Sequence, residues 1–199
     1  MGIKSGQAKG YPFIHKILSK ESPDRTLDIG CGRAAYRASI RGEYVGVDIT
    51  NLDYSGEPRR VDCFASARYL PFKEHSFDLA FTVGSLYLFP GPVLCLKDVY
   101  RCLRPGGKFI CFDYTRKTLE RLIQTFWDLR VPYHSIWTGP QLGRLFKVVG
   151  FKRVKYLVPE IPGSWKSKLA SRLSLMYRYF HDSREGWWVV EGTKLQNEL

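Results

Sequence analysis

The chain has 199 residues, a length that fits one domain, and it carries 31 Lys and Arg residues against 19 Asp and Glu residues, a formal net charge of +12. Hydrophobic residues make up 44% and charged residues 25%, and these values exclude a disordered chain, a fibrous repeat and a membrane-spanning bundle. The five cysteines form no Cys-x-x-Cys pair and follow no recognisable secretory segment, so we expect a reduced, cytoplasmic protein without a metal site.

Strands alternate with helices along the first part of the chain. Strands are predicted where short apolar runs meet turn residues, and helices where apolar residues recur at helical spacing. Strands are predicted at 25–29, 44–48, 61–65, 77–83, 108–114, 151–158 and 187–191, and helices at 12–20, 33–41, 93–103, 119–129, 141–149 and 164–180. The alternation predicts an α/β, Rossmann-like fold with a mostly parallel sheet and helices on both faces.

One uncharged stretch reaches the length of a membrane span. Residues 79–96 run for eighteen residues without a charge. Gly84, Pro90, Gly91 and Pro92 interrupt this stretch, so a buried strand, a loop and the start of a helix account for it better than a spanning helix. We therefore predict no integral membrane segment.

The first predicted strand ends in a glycine turn that is typical of a nucleotide-like ligand. Gly30 and Gly32 allow the backbone to approach a ligand closely, and Asp48, at the tip of the second strand, can accept both hydroxyls of a ribose. The spacing from Gly30 to Ala35 also fits the loose dinucleotide pattern. Asp28 favours S-adenosylmethionine instead, because that cofactor brings an ammonium and a sulfonium rather than a phosphate.

Four segments together resemble the class I S-adenosylmethionine-dependent methyltransferases of the small, single-domain type. They are Leu27-Asp28-Ile29-Gly30-Cys31-Gly32, Tyr44-Val45-Gly46-Val47-Asp48, Leu70-Pro71-Phe72 with Ser76-Phe77-Asp78-Leu79, and Leu103-Arg104-Pro105-Gly106-Gly107-Lys108. The resemblance covers about residues 24–155. It implies a seven-stranded sheet with an antiparallel last strand, S-adenosylmethionine as cofactor, and one methyltransferase domain over residues 1–199. Residues 159–186 would form a helical, basic connection before the last strand.

The resemblance also implies a set of cofactor-binding residues. Asp28, Gly30, Cys31 and Gly32 would shape the site of the methionine end, Asp48 would bind the ribose, Ile49 would lie against the adenine, and Ser66 and Ala67 would border the adenine amine.

Two positions depart from the family pattern. Ala34 stands where the family usually has a third glycine, and a methyl group is tolerable there if the backbone is already helical. Ser66 stands where an acidic residue is frequent. A serine can still hydrogen-bond the amine, more weakly, unless an offset of the strand brings Asp62 to that place.

The acceptor is less well defined than the cofactor. Tyr87 and Tyr114 follow the fourth and fifth strands and are candidates for an acceptor pocket, Tyr11 and Tyr36 for contacts with the sulfonium, and His134 for a base. Cys31 is expected to contribute backbone groups rather than a nucleophilic thiol.

Most of the positive charge falls in the C-terminal part. Residues 1–114 hold 16 basic and 12 acidic residues, whereas residues 115–199 hold 15 and 7. The basic segment 164–180 fits a packed helix or lid, an anionic membrane surface or RNA. We predict a methyltransferase for a small-molecule or lipid-like acceptor, because the core motifs resemble that broad group of enzymes. The alternatives are an RNA methyltransferase and a module that binds the cofactor without catalysis.

Overall fold

A computed structural model describes residues 11–50, 58, 60–114, 137–156 and 187–195 of the chain. Within these residues, three α-helices and seven strands follow one another in an alternating order. They are α1 (Pro12–Leu18), β1 (Arg25–Ile29), β2 (Glu43–Asp48), β3 (Cys63–Phe64), β4 (Phe77–Val83), α2 (Pro92–Cys102), β5 (Leu103–Tyr114), α3 (Gly139–Val149), β6 (Lys152–Tyr156) and β7 (Trp187–Thr193).

The seven strands form one mixed sheet in the order β3-β2-β1-β4-β5-β7-β6. The first five strands in this order run parallel to one another. β7 runs antiparallel to both β5 and β6. The predicted Rossmann-like sheet with an antiparallel last strand is therefore confirmed. The strand order reverses between β1 and β4, and in open parallel sheets this is where ligands bind.

Side chains alternate between the two faces of the sheet and build two separate cores. Leu27 and Ile29 of β1 belong to the core that packs under α2 and α3. Ile14 of α1 packs with Phe81 and Phe112 on the opposite face. Because successive strand residues point to opposite faces, Asp28 lies on the α1 side of the sheet.

The predicted helix over residues 33–41 is wrong. The chain makes turns after Gly32 and then one short 3-10 helix, Arg37–Ser39. Ala34 explains the failure, because its φ of 52° is left-handed and cannot belong to a right-handed helix. The condition under which an alanine would be tolerable at this position is not met.

The other differences concern the ends of elements. The fifth strand begins at Leu103 rather than at residue 108, with a register shift where it pairs with β4 between Phe77 and Leu79. The uncharged stretch 79–96 folds as predicted into a strand, a loop and the start of α2.

Over the ranges with described coordinates, no helix is both long enough and apolar enough to cross a membrane. The predicted helices 119–129 and 164–180 and the connection 159–186 lie outside the described residues.

Candidate functional site

The glycine turn after β1 is held by the end of β2. The amides of Gly30 and Cys31 both donate to the carbonyl oxygen of Val47, at 2.8 and 3.0 Å. Gly30 and Gly32 have φ values of 72° and 53°, in the left-handed region where glycine is free of steric penalty. The turn therefore presents backbone, not side chains, to the space above the strand ends.

Asp48 faces this turn from the tip of β2. Its carboxylate accepts a hydrogen bond from the amide of Gly32 at 3.0 Å and another from the amide of Ile49 at 2.8 Å. The residue is only 7% exposed. Two amide donors fix the orientation of the carboxylate, and a carboxylate offers about four acceptor positions in all.

A cleft of about 400 Å³ opens between the turn and the ends of β2 and β4. Its volume lies within the range of small-molecule sites. Six of the eight predicted cofactor-binding residues line it: Gly30, Gly32, Asp48, Ile49, Ser66 and Ala67. The topology brings them together because parallel strands place their carboxyl ends along one edge of the sheet.

The second wall of the cleft follows β4, and sequence reasoning identified only Tyr87 there. The other residues of this wall are Gly84, Ser85, Leu88, Phe89 and Pro90. The hydroxyl of Ser85 lies 3.3 Å from the carbonyl oxygen of Gly30 and 3.1 Å from that of Val83. The position of β4 beside β1 could have indicated these residues. Where the strand order reverses, the segments that follow the two neighbouring strands face the ligand.

Ser66 and Asp62 flank β3 and have different surroundings. Ser66 lines the cleft, whereas Asp62 is not among the lining residues. The carboxylate of Asp62 instead accepts hydrogen bonds from the amide of Gly46 at 2.7 Å and from Nη2 of Arg37 at 2.5 Å. Asp62 therefore does not take the place of Ser66.

Asp28 does not reach the cleft. Its side chain is 2% exposed and accepts a hydrogen bond from the hydroxyl of Tyr44, on the α1 face beneath the turn. Burial raises the pKa of Asp28 to about 7, and the hydrogen bond from Tyr44 opposes this rise. A role for Asp28 as a direct contact of the cofactor is not supported by this placement.

The side chain of Cys31 is also turned away from the cleft. Its sulfur packs against Gly46, where an added Cβ would lie 2.9 Å from it, and the thiol lies 3.7 Å from the carbonyl oxygen of Arg60. Burial raises the pKa of the Cys31 thiol well above its usual value. The thiolate needed for nucleophilic attack is therefore disfavoured, and Cys31 offers backbone groups only.

The other residues that the sequence suggested for the sulfonium, the acceptor pocket and the base differ in where they lie. Tyr36 lies in the core of the α1 face, where its hydroxyl accepts a hydrogen bond from the amide of Tyr11 at 3.1 Å, and neither tyrosine lines the cleft. Tyr114 packs on Trp187, with ring centroids 4.2 Å apart. His134 lies outside the described residues. In the part of the chain that the structure describes, no group of three potential metal ligands occurs.

Comparison with known proteins shows what the domain is similar to. Residues 27–111 match the family model described as a methyltransferase domain. The match supports the assignment of this segment as a methyltransferase domain. The matched range runs from β1 through β5 and so contains the glycine turn, Asp48 and both walls of the cleft.

Sequence relatives and solved structures agree with this assignment. The chain is 36% identical over 169 residues to the ubiquinone/menaquinone biosynthesis C-methyltransferase of Rickettsia bellii, with 75% of this chain and 64% of the relative covered. It is 26% identical over 147 residues to a demethylmenaquinone methyltransferase of a Geobacillus species, with coverages of 66% and 60%. The chain thus covers less than two thirds of either relative. A methyltransferase structure from Thermotoga maritima, described as a possible histamine N-methyltransferase, has the same fold at a TM-score of 0.62, 20% identity, and 92% and 89% coverage.

Proposed function

We propose that the chain is an S-adenosylmethionine-dependent methyltransferase that acts on a small, lipid-like acceptor such as a reduced quinone. One observation carries the proposal, which is the composition of the cleft. One side holds the glycine turn in left-handed conformation and the Asp48 carboxylate, which two amides fix, and the other side is the apolar wall after β4. The names of the two sequence relatives, both quinone-pathway methyltransferases, support this acceptor class.

The residues of the cleft would hold the cofactor at three places along its length. Asp48 would hold the ribose hydroxyls, and Ile49, which is 73% exposed in the cleft, would cover one face of the adenine. Ser66 and Ala67 would border the adenine edge. The methionine end would lie over the turn at Gly32, where an added Cβ would meet no described atom within 4 Å.

The wall after β4 would receive the acceptor. Leu88, Phe89 and Pro90 give it an apolar surface that suits a hydrophobic ring, while Ser85 and Tyr87 add two hydroxyls. A wall of this composition favours an uncharged acceptor over a phosphate-bearing one, because the described residues of the wall after β4 include no basic side chain.

The chain contributes to the reaction mainly by positioning. An acceptor atom that attacks in line takes the methyl group from the sulfonium and then loses a proton, while the electrons of the broken carbon–sulfur bond stay on sulfur. The turn, Asp48 and the β4 wall would hold the two partners in fixed relation and exclude water, which supplies much of the rate enhancement for such a displacement.

The proposal is tested by methyl transfer from labelled S-adenosylmethionine to reduced demethylmenaquinone in detergent, with RNA, protein and polar metabolite fractions assayed in parallel. We expect label in the organic extract with wild type and little with Asp48→Asn. Label in the RNA fraction alone would establish the alternative that the basic segment 164–180 suggests. Cofactor binding without transfer to any fraction would establish a binding module and overturn the proposed activity.

A further inference from the structure

A connected set of side chains lies beneath the glycine turn, outside the cleft. The hydroxyl of Tyr44 donates to the carboxylate of Asp28. The guanidinium of Arg37 stands 4.3 Å from the centre of the Tyr44 ring and pairs with Asp62. Asp62 in turn accepts the amide of Gly46, the residue that lies beside Asp28 in the β1–β2 register. We call these four residues, Asp28, Tyr44, Arg37 and Asp62, the Asp28 cluster.

Resting on the proposed function, we propose that Tyr44 is a positioning residue for cofactor binding: it orients the Asp28 carboxyl group under the turn where the cationic end of the cofactor would lie, and it favours the ionised form against the effect of burial. The hydroxyl of Tyr44 is the one hydrogen-bond partner of the Asp28 carboxylate among the described residues. Arg37 covers the ring of Tyr44, and Asp62 pairs with Arg37.

The location of Asp28 explains why the cluster matters to a ligand that it does not touch. Asp28 is two residues before Gly30 on β1, and it is almost wholly buried. Buried charges are poorly screened, so an ionised carboxylate at this depth attracts an ammonium or sulfonium held above the turn. A neutral carboxylic acid would not. The hydrogen bond from Tyr44 favours the ionised form over the neutral one.

Other charged and titratable groups around Asp28 also affect the ionisation of its carboxyl group. The titratable and charged groups that face it are Tyr44 and Asp48 of β2, Cys31, Tyr36 and Arg37 of the segment after β1, and Asp62 before β3. Asp48 and Asp62 disfavour an ionised Asp28, whereas Tyr44 and Arg37 favour it. Tyr44 and Arg37 therefore counterbalance two neighbouring carboxylates.

The decisive variant is Tyr44→Phe, which keeps the ring and its contact with Arg37 but removes the hydroxyl. We expect S-adenosylmethionine to bind about tenfold more weakly at pH 7, since a hydrogen bond to a buried charge is lost. The pH below which binding weakens should move upward. S-Adenosylhomocysteine lacks the sulfonium charge and should lose less affinity. Tyr100→Phe, in the core of the opposite face, is the matched control.

Two measurements keep the result interpretable. Calorimetry between pH 5.5 and 8.5 gives the affinity profile, and the titration of the Asp28 carboxyl ¹³C signal reports its ionisation without any cofactor. If Tyr44→Phe fails to fold, Arg37→Gln, a partly exposed position, should move both midpoints in the same direction. Unchanged profiles and an unchanged titration of Asp28 would overturn the role of Tyr44. A wild-type protein that binds neither compound, although Tyr44→Phe shifts the titration, would overturn the proposed function and leave the hold of Tyr44 on Asp28 established.

Discussion

Gly30 and Gly32 share a left-handed backbone but differ in what surrounds them. A Cβ at Gly30 would lie 2.7 Å from Cβ and Oγ of Ser85, whereas a Cβ at Gly32 would meet no described atom within 4 Å. The first glycine is therefore required by the contact with the β4 wall, and the second by backbone conformation and by the space above it.

Alanine substitutions should separate these two requirements. Gly32→Ala is expected to lower the free energy of unfolding by about 1–2 kcal/mol, from left-handed strain alone. Gly30→Ala should lower it by about 2–5 kcal/mol, because Ser85 must also move. Urea unfolding measures both values. Equal losses would show that the contact with Ser85 has no energetic weight, and a Ser85→Gly background should rescue Gly30→Ala selectively.

Asp48 allows a direct test of the ribose contact. Asp48→Asn keeps the shape of the side chain but removes the charge and one acceptor, so the affinity for S-adenosylmethionine should fall at least about tenfold. Asp78→Asn is the matched control, because Asp78 also accepts a backbone amide, that of Arg25 at 2.9 Å, but at the opposite end of β1. Retention of wild-type affinity in Asp48→Asn, measured by calorimetry, would refute the ribose assignment.

Among the elements, α2 holds the loop after β3 through Arg101 and Asp98. Arg101 donates to the carbonyl oxygens of Leu70 at 3.0 Å and Phe72 at 2.7 Å, and to Asp98 at 2.7 Å. Asp98 completes the clamp by accepting the amide of Leu70 at 2.6 Å. The clamp joins α2 to the segment that continues from Ser66 and Ala67, and so supports the adenine side of the cleft.

Breaking the clamp should affect binding as well as stability. Arg101→Gln is expected to lower the free energy of unfolding by about 1–3 kcal/mol, because the carbonyl oxygens lose charged donors. Cofactor affinity should fall as the adenine side loosens. Lys97→Gln, an exposed position on the same helix, should change neither quantity. A variant of Arg101 that unfolds earlier but binds normally would confine the clamp to a structural role.

The strands and the glycine turn could be predicted from the sequence, but the segment after the turn could not. β1 and β4 are apolar runs bounded by turn residues, and their ends were found to the residue. The pattern of residues 33–41 fits a helix, yet Ala34 adopts a left-handed φ and Arg37 turns toward Asp62. The Arg37–Asp62 contact joins residues 25 positions apart, and local periodicity contains no information on such a contact.

The same reasoning explains which of the predicted residues line the cleft. Gly30, Gly32 and Asp48 are tied to a turn whose conformation is local, so a motif identifies them. Asp28 was predicted at the methionine end of the cofactor, but it lies outside the cleft, and its contact with Tyr44 depends on packing between two strands. Ser85 and Phe89 follow a strand that no short motif marks as a ligand wall, and only the strand order brings them to Gly30.

At the scale of the whole molecule, two buried carboxyl groups make stability depend on pH. Burial raises the pKa of both Asp28 and Asp113 to about 7, from an ordinary value of 3.8. A raised pKa in the folded state means that folding favours the protonated form. The corresponding stability is fully present below about pH 4 and is lost as the pH rises through 7.

Asp113→Asn isolates this effect away from the glycine turn. The free energy of unfolding of the variant, relative to wild type, should rise by up to about 4 kcal/mol between pH 4 and pH 8, because wild type alone must ionise a buried carboxyl group. Asp24→Asn, at an exposed position, is the control. Parallel curves of stability against pH for wild type and Asp113→Asn would contradict the raised pKa of Asp113.

The order of strands has a consequence for synthesis of the chain. β6 pairs with β7 in the described sheet, and β7 is made 31 residues later, so β6 waits for its partner while the ribosome advances. At about 5–20 residues per second, the interval from Tyr156 to Thr193 lasts roughly 2–7 s. Lys152 and Lys155 on β6 would discourage pairing with other nascent chains during that time. Chains that end shortly after Tyr156 and have been released from the ribosome should therefore show α3 and β6 more open to protease than the 199-residue chain does.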